Sequence, residues 1–199
     1  VSELPFLVDQ PKIHPARTLS ARLATTLTGS GDGFETVPVP SIELLFEGIA
    51  GGGHVGFVRR ASGREPWYPR GAEMRSGRQV SIVSVEDLAE VAAAMGLRTL
   101  EPGWIGADIV LEGLPRLSFL PAGARLFLEG GASLVVEAQN APCRAAGRAI
   151  ARHTGRPEDV LGFPKVAKRL RGLVASVERP GFAKAGTEIK VRLPEQWIY

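Results

Sequence analysis

Cysteine is nearly missing from this chain: Cys143 stands alone in 199 residues. A single cysteine excludes an internal disulfide and every zinc or iron–sulfur site built from several cysteines of one chain. The three histidines, His14, His54 and His153, lack the His-x-x-x-His spacing, so no histidine zinc site is expected. No run of about 18 consecutive apolar residues occurs, so no helix long enough to cross a membrane is expected. Glu3 and Asp9 stand where a secretory leader is basic, and no long apolar stretch accompanies them. No signal peptide is read, and a cytoplasmic location is expected. A Gly-x-Ser-x-Gly elbow and a P-loop are also missing. Gly51-Gly-Gly-His-Val-Gly56 matches Gly-x-Gly-x-x-Gly by letter. No helical pattern follows it and no repeated βαβ units surround it, so it reads as a chance match in a glycine-rich break.

What is present is ordinary globular usage, 44% apolar and 23% charged, which argues against a disordered chain. The length suits one domain able to bury a substantial core. Glycine and proline, 24 and 15 residues, make up close to a fifth of the chain and favour a β-rich or loop-rich fold over a helical bundle. Residues 1–18 read as a poorly specified arm, and 19–199 as a single domain.

The coarse pattern along the domain is mainly β. Leu19–Leu27 reads as a strand, Gly29–Gly33 as a turn, and Val37–Glu47 as a strand with near-alternating apolar residues. Gly48–Gly53 is a break. Gln79–Ser84 is a short strand. Ser84 then caps a helix from Val85 to about Met95, with Asp87 as the capping-box partner and Gly96 as the stop. Short β segments follow at Ile109–Glu112, Leu117–Leu120, Arg125–Leu128 and Ser133–Ala138, a spacing typical of a barrel or sandwich. Helical pieces are expected at Pro142–Thr154 and Pro157–Arg171. Pro164 should kink or split the second, which Lys168, Arg169 and Arg171 would close. Leu173–Val177 and Thr187–Leu193 read as closing strands.

Charge is distributed unevenly. Arginines number 19 against five lysines, and the net charge is only +3, too small to imply nucleic-acid binding by itself. Between His54 and Arg78, however, six arginines (Arg59, Arg60, Arg64, Arg70, Arg75, Arg78) meet only Glu65 and Glu73. A glycine-rich loop of this length in a compact domain is either a solvated surface or functional. As a functional loop it suits an anion, because guanidinium forks bind phosphate or carboxylate bidentately. The other chemistry-bearing stretch is Asn140-Ala-Pro-Cys143-Arg144. Proline favours the first helical turn, which places Cys143 beside a helix N-terminus and an arginine, where the thiolate is favoured. Its sulfur would suit a soft metal. The plainer reading is a buried small apolar side chain.

The ordered set Glu47-Gly48, Gly53-His54, Arg59-Arg60, Arg78-Gln-Val-Ser81, Trp104-Ile-Gly106-Ala-Asp108, Leu111-Glu-Gly113 and Asn140-Ala-Pro-Cys143, closing with Gly186-Thr-Glu-Ile-Lys-Val191, resembles the MOSC domain, the C-terminal domain of molybdenum cofactor sulfurase. The resemblance spans about residues 20–195. It implies a β-barrel-like fold with a few short helices and a pocket for the molybdenum cofactor (molybdopterin) or for a sulfur passed to it. By that resemblance Cys143 is the metal ligand and catalytic residue. His54, Arg59, Arg60, Arg78, Ser81, Asp108, Asn140 and Arg144 are then candidate cofactor contacts. The implied activity is reduction of N-hydroxylated or N-oxygenated small molecules, with electrons from partner redox proteins. The alternatives are a persulfide-carrying domain fed by a sulfur-donor enzyme, and a non-catalytic barrel that binds an anion or RNA. Two departures stand out. Gly51–Gly53 fills a stretch where the family often has an aspartate, and Asp108 replaces the asparagine of Gly-x-Asn, placing an acid where an anionic ligand is expected.

Overall fold

A computed structural model describes residues 11–29 and 33–198, without the side chain of Ile198. The chain runs β1 (Lys12–His14), β2 (Arg17–Gly29), β3 (Thr36–Val39), β4 (Ser41–Leu45), β5 (Gly48–Ile49), β6 (Val58–Arg60), β7 (Glu73–Arg75) and β8 (Val80–Ser84). There follow α1 (Val85–Ala94), β9 (Ile109–Glu112), β10 (Arg125–Leu128), β11 (Ser133–Gln139), α2 (Arg144–Thr154) and α3 (Asp159–Val166). β12 (Leu173–Arg179), β13 (Gly181–Lys184), β14 (Glu188–Leu193) and β15 (Gln196–Ile198) complete it.

Seven strands close into a barrel in the order β14-β10-β11-β12-β8-β9-β2, with β2 pairing back onto β14. The 13-residue β2 serves three neighbours, β14, β9 and β3, and a register shift between Leu23 and Thr25 gives it the extra curvature closure requires. All barrel pairings are antiparallel except β8–β9. A parallel pair needs a crossover, supplied here by α1 and a 3-10 turn at Pro102–Ile105.

Alternation along the strands produces two cores. Leu23, Val80, Ile82, Ile109, Leu111, Leu173 and Ala175 point into the barrel. Val83 and Val110 point outward and pack with Leu88, Val91, Ala146, Ile150 and Phe163 of the helices. The outward face of β8 and β12 is thus only partly covered by helices, and Ser81 and Val174 lie on its remainder. A small sheet, β13-β4-β5, adds Ile42, Leu44, Ile49 and Ala183 to the barrel core.

Several sequence expectations change here. Val37–Glu47 is not one strand: Pro40 lies between β3, paired with β2, and β4, paired with β13. Leu117–Leu120 forms a 3-10 turn, not a strand. Its Ser118 is drawn to Asp87, which accepts hydrogen bonds from the Ser118 N–H (3.0 Å) and hydroxyl (2.6 Å). Asp87 therefore completes no capping box, although Ser84 does accept from the Asp87 N–H at 3.1 Å. The second helical piece ends at Val166, and Pro164 sits in its last turn. Residues 169–171 leave the helix through Arg169, at φ 67°. Residues 11–18 of the arm belong to the fold: β1 pairs with β15, and β2 begins at Arg17. The first ten residues of that arm, and positions 30–32 of the expected 29–33 turn, lie outside the described residues. The arginine-rich loop contains the hairpin β6–β7.

Candidate functional site

A cavity of 430 Å³ opens on the exposed part of the β8–β12 face, within the size range of small-ligand sites. Its walls hold Arg59, Arg64, Arg78, Arg171, His54 and Cys143, and no acidic side chain among the described residues.

Cys143 is the N-cap of α2, in extended conformation (φ −139°, ψ 162°), one residue before the helix rather than inside its first turn. Its side chain makes no capping hydrogen bond and is half-buried. The open N–H groups and positive dipole end of α2 therefore face the sulfur's surroundings. The turn before the helix is tied down by the Asn140 N–H, which donates to the Gly172 carbonyl at 2.8 Å. The helix is set against α3 by Gly147, where a Cβ would come within 2.5 Å of the Val160 carbonyl oxygen.

A polar chain lines the cavity floor. Arg78 Nη2 donates to Asn140 Oδ1 at 3.0 Å, and Asn140 Nδ2 donates to Ser81 Oγ at 3.2 Å. Arg171 Nη1 reaches the same Ser81 Oγ at 3.4 Å, and its Nη2 donates to the Ile105 carbonyl at 2.5 Å. Ser81 Oγ accepts from both neighbours, which leaves its own proton free to donate toward the cavity.

Arg171 is the dominant charge. It is 5% exposed, and no carboxylate oxygen among the described residues lies within ion-pair distance of its guanidinium. Burial lowers its pKa to about 10, opposed by Cys143 and Asp108. It stays protonated at neutral pH, with several N–H donors unused. A buried cation in that state calls for an anion.

Asp108 supplies only part of that countercharge. It is buried behind Ser81, whose N–H donates to Asp108 Oδ2 at 2.7 Å, and it does not line the cavity. Burial raises its pKa to about 7, against the Ser81 hydrogen bond and the attraction of Arg171. The acid read in the sequence as opposing an anionic ligand is thus turned away from the cavity.

The other candidates separate. Arg59 reaches the wall but is committed to Glu65, which accepts from Arg59 Nη2 (2.6 Å), the Ser62 N–H (3.0 Å) and the Ser62 hydroxyl (2.9 Å). The Arg59 bond foremost holds the Glu65 carboxyl down to about 2. His54 lies on the rim, where enclosure and then the Arg78 charge lower its pKa. Its loop is pinned by buried Gln79, whose Nε2 donates to the Phe46 carbonyl at 3.0 Å. Arg60 points away and donates to the Gly71 carbonyl at 3.1 Å. Arg144 is exposed on α2 outside the cavity wall.

Arg171 and Phe34 are not anticipated in the sequence, and Arg64 only as a member of the arginine-rich loop. Arg171 reads in sequence as a basic helix-closing residue. The available signal was Pro164, which ends the helix within a turn, together with Gly172, which leaves Arg171 in the connection to β12. Phe34 reaches the wall because Gly106, at φ 67°, has no Cβ; one would lie 2.6 Å from the Phe34 carbonyl oxygen. Among the described residues no group of three or more His, Cys, Asp or Glu could hold a metal by itself. No helix among them is long and apolar enough to cross a membrane.

The sequence model of the MOSC domain matches residues 59–190. A Bacillus subtilis (strain 168) protein, "Putative metal-sulfur cluster biosynthesis proteins YuaD", is 37% identical over 159 residues, covering 79% of this chain and 83% of that protein. The crystal structure of the Bacillus subtilis YuaD protein superposes with a TM-score of 0.86 at 34% identity, covering 89% of this chain and 98% of that one. YiiM from Geobacillus stearothermophilus shares the fold at a TM-score of 0.56 and 15% identity, over 90% of this chain and 75% of YiiM.

Proposed function

This chain belongs to the MOSC domain family, and within it we propose that it carries sulfur on Cys143 for the assembly of a metal–sulfur centre. The observation that carries the reading is the pairing of one free cysteine at a helix N-terminus with a buried Arg171 that has no ion-pair partner among the described residues, on the wall of a cavity to which those residues contribute no acid. The name of the YuaD relative supports the same chemistry.

In the proposed step, a partner enzyme presents a persulfide, R–S–SH. The Cys143 thiolate attacks the terminal sulfur. The donor S–S bond breaks, a new S–S bond forms on Sγ, and the electron pair leaves with the donor thiolate. Arg171 and Arg78 hold negative charge on the sulfur being transferred, and the dipole end of α2 adds to them. The Ser81 hydroxyl proton can hydrogen-bond the same sulfur. Delivery reverses the step toward an acceptor. The test is intact mass after incubation with a small persulfide donor. The expected result is one reducible sulfur on Cys143, with Cys143→Ser unmodified. A wild-type chain that takes up no reducible sulfur overturns the reading.

A second reading is favoured by the size and polarity of the cavity, which exceed what one sulfur atom needs. Cys143 Sγ as a soft ligand, Arg171 and Arg78 for a phosphate, and Asn140 with Ser81 for a polar ring form a donor set that fits the molybdenum cofactor. When bound, that group would supply two-electron redox chemistry suited to reducing N-oxygenated compounds, with electrons from a redox partner. The chain's own residues would orient it and exclude water. Elemental analysis of protein from a cofactor-producing host tests this. Molybdenum near one per chain, lost in Cys143→Ser, favours it; none in either protein counts against it.

A further inference from the structure

We propose that the arginine hairpin beside the cavity is the docking groove for an acidic, persulfide-bearing segment of the sulfur-donor protein, an inference that rests on the sulfur-carrier reading.

A second cleft, of 630 Å³, adjoins the first and shares Arg64, Arg78, Ala141 and Val174 with it. The two form one trough that leads from Trp67 and Tyr68 to Cys143. Trp67 is 69% exposed and meets Tyr68 edge-on, with ring centroids 6.3 Å apart. Across the hairpin, Phe57 and Val58 are 60% and 56% exposed. Monomeric domains seldom leave so many large apolar side chains bare in one segment, and aromatic residues with arginine are the side chains enriched at binding hot spots.

Charge selects the occupant. Glu65 is spent on Arg59, and Glu137, on the wall of the second cleft, is paired with Arg75, so Glu73 is the acid between His54 and Arg78 left without an ion pair within the described residues. Arg64 lines both clefts, Arg60 and Arg70 are exposed on the same hairpin outside their walls, and none of the three forms an ion pair within the described residues. Such a surface attracts an acidic segment and repels a basic one. An extended segment seated there, with an apolar residue on Trp67 and Tyr68 and acids on the arginines, would bring its persulfide within reach of Cys143. A globular donor surface alone would not enter a trough walled by the hairpin.

The test uses the full chain and three donors: a small-molecule persulfide, a peptide with a persulfidated cysteine flanked by glutamate and leucine, and the same peptide with lysine for glutamate. Sulfur uptake on Cys143 is followed by intact mass at low salt. The acidic peptide should load Cys143 about tenfold faster than the basic one. Arg70→Glu should abolish that preference and Trp67→Ala should slow loading from the acidic peptide, each leaving small-donor loading unchanged. Equal loading by both peptides in the wild type, a preference that survives Arg70→Glu, or acidic-peptide loading unaffected by Trp67→Ala overturns the docking groove. Failure of the small donor overturns the sulfur reading instead. In that case the groove is judged by fluorescence anisotropy of the acidic peptide with serine for cysteine. Salt-sensitive binding lost in Arg70→Glu supports the groove, and absence of binding overturns it.

Discussion

Asp108 and Arg171 set the charge that the cavity offers, and the two respond to pH differently. With a pKa near 10, Arg171 keeps its charge across the neutral range, while Asp108 titrates near 7. Below that value the cavity is more positive; above it, part of the charge of Arg171 is offset from behind. Asp108→Asn keeps an oxygen to accept the Ser81 N–H and removes the titration. Retention of an anion such as inorganic phosphate should then be stronger at pH 8 and unchanged at pH 5, as read by calorimetry. Stability should move in parallel. A raised carboxyl pKa means that the folded chain holds a proton the unfolded chain has lost, so stability falls as pH rises from about 4 to about 7. At roughly 1.4 kcal/mol per unit, Asp108→Asn should gain up to a few kcal/mol at pH 8 and nothing at pH 4, as measured by denaturant unfolding. Glu65 has the opposite sign. Its depressed pKa contributes stability above about pH 4.5, which is lost as pH falls toward 2. Glu65→Gln leaves Arg59 unpaired in a nearly buried site and should cost about 3 kcal/mol in the hairpin loop. Faster amide exchange confined to residues 58–75 would register it.

At the scale of elements, the site depends on how α2 and the Arg171–Gly172 turn are seated. Gly147 lets α2 touch the α3 backbone, and Gly172, at φ 88°, lets the chain pass within van der Waals distance of the Ile82 carbonyl. Gly147→Ala pushes α2 away from α3 and displaces its N-cap. It should lower stability by about 1–3 kcal/mol and slow sulfur loading of Cys143, even though Gly147 lies outside the cavity. Unchanged loading in a folded Gly147→Ala protein would show that α2 need not be seated so closely. These elements were unequally legible in the sequence. Ser84 announced α1 because a cap is a local signal, and Pro142-Cys143 announced the start of α2 for the same reason. Leu117–Leu120 read as a strand because a short segment bounded by proline and spaced like its neighbours is a local signal, whereas the bonds from Ser118 to Asp87 that bend it are long-range. Arg171 was absorbed into a helix-closing pattern, since nothing nearby indicates that the chain turns inward there.

For the whole molecule, the barrel was readable from short strands punctuated by glycine and proline, and the ordered motifs pointed to the family. What the motifs could not supply was the sorting of the arginines. Arg59 is held by Glu65, Arg60 faces solvent, and Arg78 and Arg171 converge on the cavity, because contacts across the fold decide each case. Cys143 sits where the barrel face, the end of α2 and the arginine hairpin meet. The most direct measurement is therefore the rate at which Cys143 takes up sulfur from a small persulfide donor in the wild type, Arg171→Leu and Arg78→Leu, each checked for folding by circular dichroism. The wild type should load one sulfur per chain, and both substitutions should slow loading at least about tenfold, as expected when a charge-stabilising donor is removed from beside the reacting sulfur. A wild-type chain that does not load, or folded arginine variants that load at the wild-type rate, would contradict a cavity built to hold anionic sulfur on Cys143.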